Sequence, residues 1–204
     1  MNIIIHPTYF PSVSHFVAMA KADSITLEMD DNFQKQTNRN RMYIYSPNGI
    51  QLLNIPVKHS ATNRHQKTRD IKLETAFDWQ KQHFKSLEAA YRSSPFFEYF
   101  EDALLPVYEK KHEFLMDLNL ETMAIVSKCL RMDLVFEKTS EYFSETPLTD
   151  FRPLANGKKD NLQFEPYPQV FQEKEGYLNN LSILDLLFNE GRHALDYLKR
   201  QPLF

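Results

Sequence analysis

The sequence predicts an α/β fold: a Rossmann-like, mainly parallel sheet with a β-hairpin and additional helices. Three observations predict it. Asn2-Ile3-Ile4-Ile5 is a short β-branched run closed by Pro7, the pattern of a strand buried on both faces. Residues 12–21 follow a turn stiffened by Pro7 and Pro11, and read as a helix with a serine near its start. Residues 24–29 then alternate apolar and polar side chains, as a second strand would. In strand–loop–helix units of this kind, ligands sit beyond the carboxyl ends of the strands. His6 falls at that end of the first strand. Asp30 and Asp31 reach the same edge if the second strand runs parallel to it.

The remaining elements follow in order. After the polar stretch 32–41, residues 42–45 and 51–57 are predicted strands joined through Ser46-Pro47-Asn48-Gly49. Asn-Gly tolerates the positive φ of a tight hairpin turn. A polar loop over 58–67 carries His59, Arg64 and His65, and residues 70–73 read as a short strand. The middle of the chain is helical. Asp78 stands at the cap of a helix whose stripe is Trp79, His83, Phe84, Leu87 and Tyr91. Ser93-Ser94-Pro95 breaks it, a second helix carries Phe96, Phe97, Phe100, Leu104 and Leu105, and a third covers 113–131. Residues 134–136 are the last predicted strand. Residues 140–180 lack periodicity yet hold aromatics throughout, so they are expected to form a long ordered loop or lid. Helices over 183–188 and 194–199 close the chain. Its length suits one domain spanning residues 1–204.

Composition narrows the function classes. With 42% hydrophobic and 13% aromatic residues, the chain can bury a sizeable core built largely on phenyl rings. A net charge of −3 gives no basic excess for a nucleic-acid backbone. Cys129 is the sole cysteine, which excludes an internal disulfide and a thiolate metal cluster, and in an apolar helix it reads as core. No basic segment precedes a long apolar run, and no stretch of about 18 apolar residues exists, so a cytoplasmic location without membrane insertion is expected. His59 and His65 are not completed into a metal-binding set, and no Walker or dinucleotide glycine motif is present. The sequence names no cofactor and gives no oligomeric state.

Each candidate site residue has an ordinary alternative. His6 is a candidate acid or base because an imidazole titrates near neutrality; otherwise it bridges its turn. Asp30 and Asp31 could take a proton or hold a metal, or only close a turn. Arg41, beside Asn40, offers a guanidinium fork for phosphate or carboxylate, or is a strand-edge pair in water. His15 lies on a helix face, where a packed imidazole is the ordinary case. Trp79 and His83 are spaced i and i+4 and are expected to pack together, and Tyr91, Phe96 and Phe97 are expected in the core. Tyr167 and Gln169 sit in the aperiodic segment, where helix packing does not explain them, and are candidates for lining a pocket. Ser182 reads as a helix cap, since no nucleophile-elbow glycines flank it. Tyr9, in the turn after His6, completes the ligand-binding set of Tyr9, His15, Asn40, Arg41, Tyr167 and Gln169.

Several blocks together carry a resemblance. His6-Pro7-Thr8-Tyr9-Phe10-Pro11, Asn40-Arg41, Ile55-Pro56-Val57, Trp79 with His83, residues 91–97, Tyr167-Pro168-Gln169 and residues 181–189 look like the WbqC-like family. The resemblance spans nearly the whole chain and implies a place in surface-polysaccharide (O-antigen) biosynthesis. A second likeness is to nucleotidyltransferases of the His-x-Gly-His type. Ser14-His15 falls where their Gly-His would, and a helix amino end there would offer free N–H groups to an anion. The expected function is therefore a transferase-type enzyme of surface-glycan assembly, acting on a nucleotide-sugar or other phosphorylated metabolite. In it Arg41 holds the anion, His6 is acid or base, and Asp30 or Asp31 orients a hydroxyl or metal. The alternative is a non-catalytic protein that binds such a ligand, or a pathway partner, through the aromatic segment near Tyr167.

Overall fold

A computed structural model describes residues 1–58, 66–157 and 160–203. His59, Arg64 and His65 of the predicted polar loop lie outside the described residues. The centre of the molecule is β1, Asn2–Ile5, whose three isoleucines are almost wholly buried. It pairs in parallel with β2, Ser24–Leu27, on one side and with β6, Thr149–Asp150, on the other. Beyond β2 lies β5, Phe136–Lys138, also parallel, so the sheet order is β5-β2-β1-β6. A strand flanked on both edges and covered on both faces has no room for alternating polarity, which is why β1 reads as an unbroken apolar run. The helix α1, Val13–Ala20, is the crossover between β1 and β2.

The fold class is the predicted one, a mixed α/β fold with a mainly parallel sheet and a separate hairpin. The hairpin joins β3, Arg41–Ser46, to β4, Gly49–Asn54, with Ser46 opposite Gly49. Only Gly49 takes a positive φ, +89°, so Asn48 does not use the tolerance expected of it. The Ser46 hydroxyl closes the turn instead, donating to the Gly49 carbonyl and accepting from the Asn48 N–H. β4 stops short of the predicted end at residue 57, since Pro56 has no N–H to extend a ladder.

Other boundaries shift for identifiable reasons. Residues 70–73 do not form a strand of either sheet. A 3-10 turn over Thr68–Asp70 leads into single bridges, Lys72 with Phe114 and Leu73 with Val57, that stitch neighbouring segments together. The last predicted strand begins at Phe136 rather than residue 134, and Val135 is 84% exposed. The long aperiodic segment carries short elements of its own. It contributes β6, the 3-10 turn Arg152–Ala155 and a four-residue helix α5, Gln172–Glu175.

Three helices, α2 (Trp79–Tyr91), α3 (Phe97–Glu109) and α4 (Leu115–Cys129), follow the predicted apolar stripes. Asp78 precedes α2 but makes no side-chain cap bond. Trp79 and His83 pack edge to face, 5.1 Å between centroids, as their spacing suggests. The helix α6, Ile183–Glu190, is buried along every residue but the last and touches α1, α3, β3 and the terminal helix α7, Ala194–Arg200. Ser182 caps it, accepting from the Leu184 N–H. No helix among the described residues is long and apolar enough to cross a membrane.

Within α6, Asp185 is fully buried and has no cationic partner among the described residues. It accepts instead from the Tyr91 and Tyr167 hydroxyls, at 2.8 and 2.6 Å, and from the Gln169 amide at 2.8 Å. Burial pushes its carboxyl above the usual range, and the three donors resist that shift. The network fastens the 167–169 strap to the core helix. Asp185→Ala should leave those donors unpaired and cost about 3–5 kcal/mol, while Tyr167→Phe should cost about 1–2 kcal/mol. Urea unfolding midpoints measure both; near-equal midpoints for wild type and Asp185→Ala would show that the donors find other partners.

Candidate functional site

The sheet order fixes where a site can form. From β1 the chain builds outward through β2 to β5, then returns to the opposite side of β1 as β6. The order reverses at β1, and crossovers leave in opposite directions there. A crevice therefore opens at the carboxyl edge between β1 and β6. It measures about 290 Å³, and its lining includes His6, Arg39, Tyr142, Asp150, Arg152 and Asn156.

The ladder explains the convergence. The Glu28 N–H donates to the Ile5 carbonyl, the Thr139 N–H to Leu27 and the Phe151 N–H to Ile4. His6, Glu28, Thr139 and Arg152 thus leave their strands at one level. Arg152 grips Asp150 through Nε and Nη2, at 2.9 and 2.7 Å. Its Nη1 reaches Glu28, at 3.3 Å, and the Phe143 carbonyl, at 2.6 Å. Glu28, 0% exposed, also accepts from the Thr139 hydroxyl and the Asp30 N–H. The half-exposed Tyr142 ring lies over the Arg152 guanidinium, 5.2 Å away.

The second half of the crevice is an imidazole, a carboxylate and a guanidinium. Asp31 Oδ2 receives Arg39 Nε and Nη2 at 3.0 and 2.7 Å, and lies 3.6 Å from His6 Nε2. The other Asp31 oxygen is buried without a partner among the described residues. Burial first, then the positive charge of Arg39 and Arg152 and the presence of His15, hold the His6 pKa well below 6.5, against a hydrogen bond to the Glu28 backbone. His6 is therefore a neutral imidazole at pH 7, able to accept a hydrogen bond or a proton. Both arginines are already matched by carboxylates, so the crevice presents polarity with little free positive charge.

The structure brings together some of the residues singled out by sequence and disperses others. His6 and Asp31 meet. Asp30 does not join them; it is ion-paired at the edge to Lys67, 3.0 Å, and Arg69, 2.8 Å, and ties the 67–69 turn to the sheet. Arg41 and Asn40 face a neighbouring hollow, and the guanidinium beside His6 is that of Arg39. Tyr9 is fully buried against His83 and Tyr108. Tyr167 and Gln169 are committed to Asp185 and line neither hollow. His15 is completely buried, its Nδ1 on Ser12 and its Nε2 without a partner among the described residues.

The amino end of α1 is also closed to an anion. The Val13 N–H donates to the Leu181 carbonyl and the Ser14 N–H to Asn180 Oδ1, so the N–H groups expected to be free there are occupied. Sequence reading missed Arg39, Arg152, Asp150 and Glu28. Only the Asp150-x-Arg152 spacing hinted at a pair, and nothing in it marked a strand end. Among the described residues no three His, Cys, Asp or Glu side chains come together to hold a metal.

The protein-family comparison matches residues 6–156 to the WbqC-like protein family. The chain belongs to the WbqC-like family. The matched span begins and ends on residues that line the crevice, His6 and Asn156, and every lining residue falls within it. The WbqC-like chain is also 27% identical, over 96% of both chains, to an uncharacterized protein, Rv1507c, of Mycobacterium tuberculosis. No solved structure matches it.

The buried histidines of this WbqC-like protein predict its acid response. Burial lowers His15 from 6.5 to about 3 and His83 to about 4, and His6 falls well below 6.5. Below pH 6.5 the unfolded chain takes up protons that the folded chain refuses. Stability present above pH 6.5 is then lost as pH falls, by about 1.4 kcal/mol per pH unit for each histidine. Urea midpoints between pH 7 and 5 should drop accordingly, and His15→Gln should flatten the slope by about a third. A midpoint that does not change over this range would contradict the burial of these rings.

Proposed function

We propose that this WbqC-like protein is a transferase-type enzyme of surface-glycan assembly, and that the crevice between β1 and β6 is where it acts on a sugar hydroxyl. One observation carries this reading: a neutral imidazole, His6, at the switch point of a parallel sheet, with the Asp31 carboxylate 3.6 Å behind it. A neutral imidazole accepts the proton of a sugar hydroxyl as that oxygen bonds to the anomeric carbon of the donor and the nucleoside phosphate leaves with the electrons of the broken C–O bond, and an adjacent carboxylate stabilises the imidazolium that forms. Arg39 opposes that charge, and its double hydrogen bond keeps Asp31 in place. The remaining lining suits a polyol: amide, hydroxyl and carboxylate groups beside one exposed aromatic plate, Tyr142. The family resemblance supports the glycan setting, and a nucleotide-sugar is the donor class that fits a transferase of this kind.

The experiment is a thermal-shift screen of sugar nucleotides, followed by kinetics on whichever one raises the melting temperature. His6→Gln should retain ligand affinity and lower turnover by about 100-fold or more. Asp31→Asn should reduce turnover less, with some loss of stability from unpairing Arg39. Binding by the wild type with no turnover in the presence of any glycan acceptor would favour the non-catalytic ligand-binding role instead.

A further inference from the structure

The segment 33–41 is a wall between two hollows. Its Gln34 and Arg39 line the crevice, while Phe33, Lys35, Asn40 and Arg41 line a second, larger hollow of about 450 Å³. The two differ in how their charge is used. In the crevice each guanidinium is bound to a carboxylate. In the second hollow, Arg41 makes one side-chain bond, Nε to Asn54 Oδ1 at 3.2 Å, and neither Arg41 nor Lys35 meets a carboxylate among the described residues.

The rest of the lining suits a ligand. Asn40 is 6% exposed and closes part of the wall, its amide nitrogen fixed by the Ile55 carbonyl at 3.0 Å and by Asn54 at 3.3 Å. Glu74, also in the lining, accepts from the Ala76 N–H at 2.9 Å and remains ionised, an acceptor for a ligand hydroxyl. Phe77, 65% exposed, and the partly buried Phe33 supply flat apolar surface at the same place.

We propose that this second hollow binds a nucleoside phosphate. The phosphate sits on Arg41 and Lys35, a ribose hydroxyl donates to Glu74, and the base lies against Phe33 and Phe77. Two cations against one carboxylate leave the hollow positive enough for an anion, and its volume is that of a small-ligand pocket. The assignment rests on the transferase reading for the class of ligand, and deepens it by giving the anionic half a place apart from His6.

The test is isothermal titration calorimetry at low salt on the full chain, with UDP, ADP, pyrophosphate and uridine as probes. At least one of the nucleotides should bind the wild type more tightly than pyrophosphate or uridine does. Arg41→Met and Lys35→Met should each weaken nucleotide binding about tenfold or more. Phe77→Ala should weaken the nucleotide and leave pyrophosphate unaffected, and His6→Gln should bind as the wild type does. If Arg41→Met fails to fold, the exposed Lys35→Glu decides, since charge reversal there should abolish binding. The proposal is overturned if neither nucleotide binds at millimolar concentration, if the Lys35 variants titrate like wild type, or if His6→Gln alone abolishes binding. Unimpaired nucleotide binding without turnover would end the transferase reading and leave this site standing.

Discussion

Arg152 reaches across β1. It leaves the chain just after β6, holds Asp150 on its own strand with two bonds, and extends to Glu28 at the end of β2 on the far side. Two carboxylates face one buried guanidinium, with a hydroxyl and backbone groups occupying the remaining valences. Such a network adds little net stability, because desolvating the charges offsets most of their attraction. Its effect is on arrangement. β6 is two residues long and pairs with β1 through only two positions, too few to set a register by backbone bonds alone. With Arg152 in place, the reversal of strand order at β1 is held, and with it the crevice.

This arrangement determines what the crevice can bind. Charge used to hold strands together is not free to hold a ligand. Arg39 and Arg152 are nearly inaccessible and carboxylate-bound, whereas Arg41, two residues from Arg39, is half-buried and bonded to a neutral amide. The chain turns between residues 37 and 40 before β3 begins at Arg41, so adjacent arginines are delivered to opposite sides of one wall. Structural charge and available charge are thereby separated over a few residues. A single anion site at His6 would have placed both demands on the same guanidinium.

How much of this was legible in the sequence follows from the physics of each element. β1, α1, β2 and the hairpin were readable because their signals are local: a β-branched run, apolar periodicity, a Pro-Asn-Gly turn. That Asp30 and Asp31 reach the edge of His6 also follows from parallel strands; that Asp31 alone of the two turns toward it does not. β6 was not legible, since Thr149-Asp150 has no apolar alternation and is a strand only by its register with β1. Glu28 lies at a strand end, where an acidic residue ordinarily meets water; its burial depends on Arg152, 124 positions away. Tyr167 and Gln169 were correctly seen to lack a helix of their own. Their partner is an acid inside a later helix, and no local pattern distinguishes that from a pocket lining.

The same burial serves the site and weighs on the fold. His6 is neutral because water is excluded around it and because two arginines stand nearby, and His15 behind it is neutral for the first reason and the nearer of those charges. An imidazole with access to solvent would titrate near neutrality and be partly charged; burial keeps His6 uncharged, and the Asp31 carboxylate is what offsets the charge when the ring takes a proton. Excluding water keeps His6 uncharged but leaves polar atoms buried without partners among the described residues, His15 Nε2, Thr8 Oγ1, Asp31 Oδ1 and Asn119 Oδ1 among them, so the neutrality of the crevice imidazole is held at a cost to the stability of the fold around it.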